Sequence, residues 1–117
     1  MIWLTAMEIE KQEIVSGGIK FLAAEEGNIL GRAYLYILKN DQHDEPFGFM
    51  EDVFVEESHR SRGVGRLLVE AVIAEAKSQG CYKLVCTARS TKPEVHKYYE
   101  KFGFKMWGSE FRMDLKK

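Results

Sequence analysis

One stretch limits what this chain can become more than any other. From Val53 to Leu68 an apolar strand, Val53-Phe54-Val55, runs through a basic, glycine-bearing turn, Arg60-Ser61-Arg62-Gly63-Val64-Gly65-Arg66, straight into an amphipathic helix. That is how a chain builds a cradle for phosphate. Glycines remove side chains where backbone N–H groups must approach an anion, and the first turn of a helix carries unpaired amides and the positive end of the macrodipole. The backbone amides of Arg62, Gly63, Val64, Gly65 and Arg66 are the candidate donors, and Arg60, Arg62 and Arg66 are expected to add mobile positive charge around them. A strand, a Gly-x-Gly and a helix also make an ordinary connection, so the rest of the chain has to decide.

The 117 residues, 45% hydrophobic and 12% aromatic, suffice for one domain with a core and are too few for two, so residues 1–117 are read as a single domain. The 17 basic and 18 acidic residues nearly cancel. Such a chain has no long-range field of the kind nucleic-acid binders display, and the arginine cluster has no aromatic residues interleaved with it, so no nucleic-acid partner is expected. Cys81 and Cys86 have neither metal-ligand nor disulfide-framework spacing and are expected to be buried apolar fillers. His43, His59 and His96 are scattered, and no metal site is expected. The N-terminus lacks the basic lead and long apolar core of a secretory signal, and no stretch approaches the roughly 20 apolar residues of a bilayer span. The expectation is a cytoplasmic protein with no membrane partner.

Along the chain, residues 7–15 alternate weakly and suit a first strand or a solvated helix. Ile19 to Ala24 and Ile29 to Leu38 read as a hairpin around Glu25-Glu26-Gly27-Asn28. Phe47 to Val55 is the next strand, and simple alternation puts Phe49, Glu51, Val53 and Val55 on one face and Met50, Asp52 and Phe54 on the other. Helical spacing runs from Gly63 to Gln79 with Gly80 as its stop. A strand over Lys83 to Ala88 follows, parallel to the one before because a helix separates them. A helix from Pro93 to Phe102 and strands at Phe104 to Trp107 and Glu110 to Leu115 complete the order, with Phe102, Phe104, Trp107 and Phe111 expected in the core. The class is α/β: a mixed sheet whose central parallel pair is joined by a helix.

Two motifs now carry a resemblance. Arg60-Ser61-Arg62-Gly63-Val64-Gly65 resembles the Arg/Gln-x-x-Gly-x-Gly/Ala turn of the GNAT superfamily of N-acetyltransferases, and Tyr98-Tyr99-Glu100-Lys101-Phe102-Gly103-Phe104 is similar to that family's Phe/Tyr-Tyr-x-x-x-Gly-Phe helix ending. Together with the strand between them, they place residues 18 to 115 in register with a GNAT-like domain. Three departures stand out. Ser61 follows the motif arginine where glycine is common, Lys92 stands where many members have asparagine, and few residues stand ahead of Ile19, so the N-terminal helices that help form the family's acceptor lid are expected to be largely missing.

The resemblance implies acetyl-CoA as co-substrate, with its diphosphate on the turn from Arg60 to Arg66. Its pantetheine arm would run beside Phe54 and Val55, where two parallel strands are expected to diverge. It implies transfer of the acetyl group to a primary amine of a small molecule or peptide. Amide formation needs a neutral amine, a stabilised oxyanion and a proton for the departing thiolate. For the base, Glu51 is the first candidate, through its expected apolar face, and Asp52 the second. A backbone N–H near Val55 is matched to the oxyanion donor. Tyr99, matched to the motif tyrosine, is the candidate acid, whereas Tyr98 is expected to pack and His96 to be structural. An acyl-CoA-binding module without turnover is the alternative. The acidic residues Asp41, Asp44, Glu45, Glu51 and Asp52 favour a cationic acceptor, and exposed sheet edges suit a homodimer.

Overall fold

The computed structural model of the chain describes residues 7–116. Strand β1 (Gly17–Glu25) and strand β2 (Asn28–Leu38) form the expected antiparallel hairpin. Its turn has both central residues at positive φ, Glu26 at 50° and Gly27 at 82°. That is the twist-matched form of a two-residue hairpin loop, and glycine is needed at only one of its two positions. Strand β3 (Phe47–Val55) pairs antiparallel with β2. A single 3-10 turn at Glu57–His59 leads to helix α1 (Val64–Ser78).

Helix α1 ends where its sequence indicates. Gly80 adopts φ 76°, its N–H donates to the Lys77 carbonyl, and the Cys81 N–H donates to the Ala76 carbonyl. Two of the last orphan carbonyls are thereby satisfied. The chain returns as strand β4 (Leu84–Val85), parallel to β3, then forms helix α2 (Pro93–Glu100) with its proline in the first turn. The sheet has the order β1-β2-β3-β4.

The core lies between α1 and one sheet face. Leu30, Ala33 and Leu35 of β2 and Met50 of β3 meet Val64, Leu68, Val69, Val72 and Ala76 of α1, all buried. The intervening β2 side chains, Arg32, Tyr34 and Tyr36, belong to the opposite face of the strand. Among the described residues no helix covers that face at Tyr34 or Tyr36, and an open cavity lies there.

Four expectations are corrected. Residues 7–16 form neither strand nor helix and are exposed. Glu8, Glu10, Lys11 and Glu13 break up any continuous apolar face there. The strand expected over Lys83 to Ala88 pairs for only two residues, Gly48↔Leu84 and Phe49↔Val85. The parallel strands therefore separate well before Phe54 and Val55, and among the described residues β3 has no ladder pair on its β4 side from Met50 onward. Phe104 to Trp107 and Glu110 to Leu115 form no strands, because a strand needs a ladder partner and none stands beside them among the described residues. Phe102 and Phe104 pack against the core, but Trp107 and Phe111 are 93% and 95% exposed.

Candidate functional site

The site is built from the end of β3 onward. At Asp52 the backbone swings to φ 53°, and the β2–β3 register shifts between Arg32 and Tyr34. This is a bulge: an extra residue on β3 interrupts the alternation of side chains. Glu51 and Asp52 both become exposed and, with Tyr34 and Tyr36, line one open cavity of about 440 Å³. Simple alternation had sent the two carboxylates to opposite faces and wrapped Glu51 in Phe49, Val53 and Val55. The bulge brings Asp52 to the side of Glu51 and turns Val53 and Val55 to the core, so that of the three expected apolar neighbours Phe49 alone keeps the face of Glu51. A sequence with no glycine or proline at the kink offered no signal for it.

The two carboxylates differ in company. Asp52 faces the Arg32 guanidinium, Nε and NH2 each 3.4 Å from a carboxylate oxygen. Glu51 is in no ion pair among the described residues. Tyr34 and Tyr36 stand nearly parallel beside it, ring centroids 6.4 Å apart and planes 6° apart.

Below the bulge, the glycine turn leads into α1. Gly63 caps α1 in the left-handed region at φ 82°, and no side chain caps the helix. The first amides of α1 are thus left without intrahelical partners. A Cβ on Gly63 would meet nothing within 4 Å, so conformation is what calls for glycine there. A Cβ on Gly65 would lie 2.9 Å from the Tyr98 hydroxyl, the end of a side chain, and 3.6 Å from a Val55 methyl. Ser61 also sits at positive φ, 68°, without glycine's freedom. Ser61→Gly is therefore expected to stabilise the fold by about 1 kcal/mol, read as a rise in Tm with the far-UV spectrum unchanged.

Each of the three arginines has a partner in the fold. Arg60 Nε donates to the Val55 carbonyl at 3.1 Å, and its guanidinium lies 5.7 Å from the Phe54 ring, with that of Arg32 at 4.7 Å from the same ring. Arg62 donates to Glu25 at 2.9 Å and sits 2.9 Å from His59 Nδ1. Arg66 pairs with Glu70 at 3.5 Å. Arg60 thus straps the turn to the end of β3, and Arg62 straps it to the end of β1.

Helix α2 brings the two tyrosines in from different sides. Tyr98 reaches α1, its hydroxyl at Gly65 and within the field of Arg66 and Glu70. Sequence reading assigned it to packing alone and missed that contact; the glycine facing it was the only available signal. Tyr99 packs inward against the core, edge-on to Phe104 at 5.7 Å. Burial, then Cys86 and Tyr98, raise the Tyr99 hydroxyl above the usual phenol range. His96 Nε2 lies 2.9 Å from the Arg89 carbonyl, fixing the loop before α2.

Cys81 and Cys86 are both free and only partly buried. Burial pushes the Cys86 thiol from 9.0 up to about 11. Between those values the folded form holds a proton that the unfolded form has lost, so stability falls as pH rises through that window. A Tm series should decline from about pH 9 to about pH 11, and Cys86→Ala should make the decline shallower.

Against this geometry, a family model described as the acetyltransferase (GNAT) family matches residues 1–104. The chain belongs to that family. Among similar proteins, a glucosamine 6-phosphate N-acetyltransferase of Trypanosoma brucei brucei is 34% identical over 91 residues, covering 76% of this chain and 59% of that protein. An aminoglycoside N(6')-acetyltransferase type 1 of Stenotrophomonas maltophilia is 32% identical over 91 residues, covering 74% and 60%. The chain thus spans about three fifths of the length of each. Among solved structures, a Trypanosoma brucei acetyltransferase superposes with a TM-score of 0.76 at 30% identity, over 85% of this chain and 70% of that one. The mixed sheet with its parallel pair joined by α1 is the GNAT arrangement.

Proposed function

We propose that this GNAT chain transfers the acetyl group of acetyl-CoA to a primary amine of a small molecule, and that the acceptor is an amino sugar. The observation that carries the reading is a juxtaposition on one strand. β3 presents the two-carboxylate, two-tyrosine cavity at its bulge and runs, a few residues later, into the uncapped glycine turn. An anion seat and an amine-recognising surface are thereby separated by the open β4-facing edge of β3.

Acetyl-CoA fits the seat chemically. The α1 amides suit a diphosphate without any arginine being freed, and the unpaired edge from Met50 to Val55 offers hydrogen-bonding groups to an amide-rich arm. The Val55 carbonyl is already engaged by Arg60, so its neighbours on β3 would carry that contact.

Glu51 is the better base of the pair. Asp52 shares its charge with Arg32, whereas Glu51 has no cationic partner among the described residues and borders the tyrosine platform. It takes the ammonium proton, directly or through water, and the free amine attacks the thioester carbon. The nitrogen of the tetrahedral intermediate gives its second proton to water, the oxyanion collapses with cleavage of the C–S bond, Tyr99 supplies a proton to the leaving thiolate, and the tyrosinate regains one from solvent. The raised Tyr99 hydroxyl stays protonated at neutral pH, as an acid must.

The parallel rings of Tyr34 and Tyr36 supply flat apolar faces for the C–H face of a sugar, with Glu51 placed to take its amine. The names of the two curated relatives, both acting on amino sugars, support that acceptor class. The test is acetyl-CoA with a panel of glucosamine 6-phosphate, aminoglycosides, polyamines and peptide N-termini, read by mass. One added acetyl group on an amino sugar, lost with Glu51→Gln, is the expected result. Transfer confined to polyamines or peptides overturns the acceptor class. Tight CoA binding with no product from any amine points instead to a binding module.

A further inference from the structure

The sheet face that holds the cavity carries two cations as well as two carboxylates. Strand register sets Lys20 of β1, Tyr34 of β2 and Glu51 of β3 in one row across that face. The neighbouring row runs from Leu22 through Arg32 to Phe54. Both cations lie over rings: the Lys20 ammonium is 5.6 Å from the centre of Tyr34, and the Arg32 guanidinium 4.7 Å from that of Phe54. A lysine on an edge strand ordinarily keeps its charge outward, against pairing. This one leans inward over the next strand, toward the cavity.

The charges on this face are unevenly matched. Arg32 meets Asp52, with Nε and NH2 each 3.4 Å from a carboxylate oxygen. Glu51 is left to receive the acceptor's ammonium. Lys20 is in no ion pair among the described residues. Asp41, Asp44 and Glu45, in the loop before β3, do not line the cavity. Once an ammonium is seated on Glu51, one positive charge therefore stays unmatched, at Lys20.

We infer that Lys20 is a specificity determinant that receives an anionic substituent of the acceptor, so that the substrate, on the amino-sugar reading proposed above, also carries a phosphate ester or a carboxylate. The row sets the size of such a molecule. The Cα atoms of Lys20 and Glu51 are two strand spacings apart, about 10 Å, and Tyr34 stands between them. One sugar ring laid on Tyr34 spans that gap, with its amine toward Glu51 and its acidic group toward Lys20. A polycationic aminoglycoside would instead bring further ammonium groups against Lys20 and Arg32, where like charges repel.

The test is steady-state kinetics with acetyl-CoA and four amines: glucosamine, glucosamine 6-phosphate, glucosaminuronate and kanamycin. It is run on wild type, on Lys20→Glu and, as a control of equal charge change, on Lys11→Glu in the irregular segment before β1. An acidic sugar is expected to exceed glucosamine in kcat/KM by about 10-fold, the effect of one charge-assisted contact. Which of the two acidic sugars shows the advantage identifies the group as phosphate or carboxylate. Lys20→Glu should abolish the ratio and Lys11→Glu should keep it. Glucosamine used as well as both acidic sugars, or kanamycin preferred to them, overturns this inference and leaves amino-sugar acetylation standing. An acidic preference that survives in Lys20→Glu overturns the role of Lys20. No transfer to any amino sugar overturns the underlying reading, and this inference with it.

Discussion

Tyr99→Phe is expected to lower turnover about 100-fold while leaving CoA affinity within a factor of about two. The change removes one oxygen and no packing. Tyr99 lies against the core with its ring edge-on to Phe104, and phenylalanine keeps those contacts. What goes is the proton. The hydroxyl is held protonated by burial and by Cys86 and Tyr98, so at neutral pH it carries the proton that the proposed acid role requires. Without it, the thiolate must leave unprotonated or take its proton from water. The comparison variant is Tyr98→Phe. The Tyr98 hydroxyl lies at Gly65, on the side of the α1 turn, so its loss should be felt in CoA affinity before turnover. Steady-state kinetics with calorimetry for CoA separates the two. Equal losses of turnover in both variants would remove Tyr99 from its assigned role.

Gly31→Ala is expected to destabilise the fold by about 3 kcal/mol and to weaken CoA binding with it. A Cβ at Gly31 would lie 2.6 Å from the Phe54 carbonyl oxygen and 3.3 Å from the Val55 Cα, with a Leu68 methyl at 3.2 Å. Two of those three atoms are backbone, and they belong to the last residues of β3, from which the anion turn is hung. Relief requires β2 and β3 to part where Arg60 fastens the turn to Val55. Gly48→Ala is the internal control. Its Cβ would come within 3.0 Å of the ends of Leu35 and Leu84, side chains that can shift, so the cost should be smaller. Thermal denaturation of both variants checks the ranking. A Gly31→Ala protein as stable as wild type would show that the β2–β3 spacing at the bulge is not fixed.

Much of this architecture was legible because it depends on local chemistry. The hairpin follows from Glu26-Gly27, the stop of α1 from Gly80, the start of α2 from Pro93, and the turn into α1 from Gly63. Each is a backbone requirement that the residue type itself declares. What escaped depends on partners. The bulge at Asp52 arises from how β3 meets β2, and a non-glycine residue at positive φ carries no mark in the sequence. Arg60, Arg62 and Arg66 read as free cations because Val55, Glu25 and Glu70 become their partners only through the fold, apart from the i,i+4 pair. Trp107 and Phe111 read as core because their apolarity is plain, but apolarity does not say which molecule covers them.

Acetyl transfer as proposed requires main-chain amides at the start of α1 to receive a diphosphate, and a CoA titration followed by 15N–1H correlation spectra observes those amides one by one. The largest shifts are expected at Arg62, Gly63, Val64, Gly65 and Arg66, saturating together with one affinity. Saturable binding that moves other amides and leaves these five in place would contradict the account, as would spectra that CoA does not change at all.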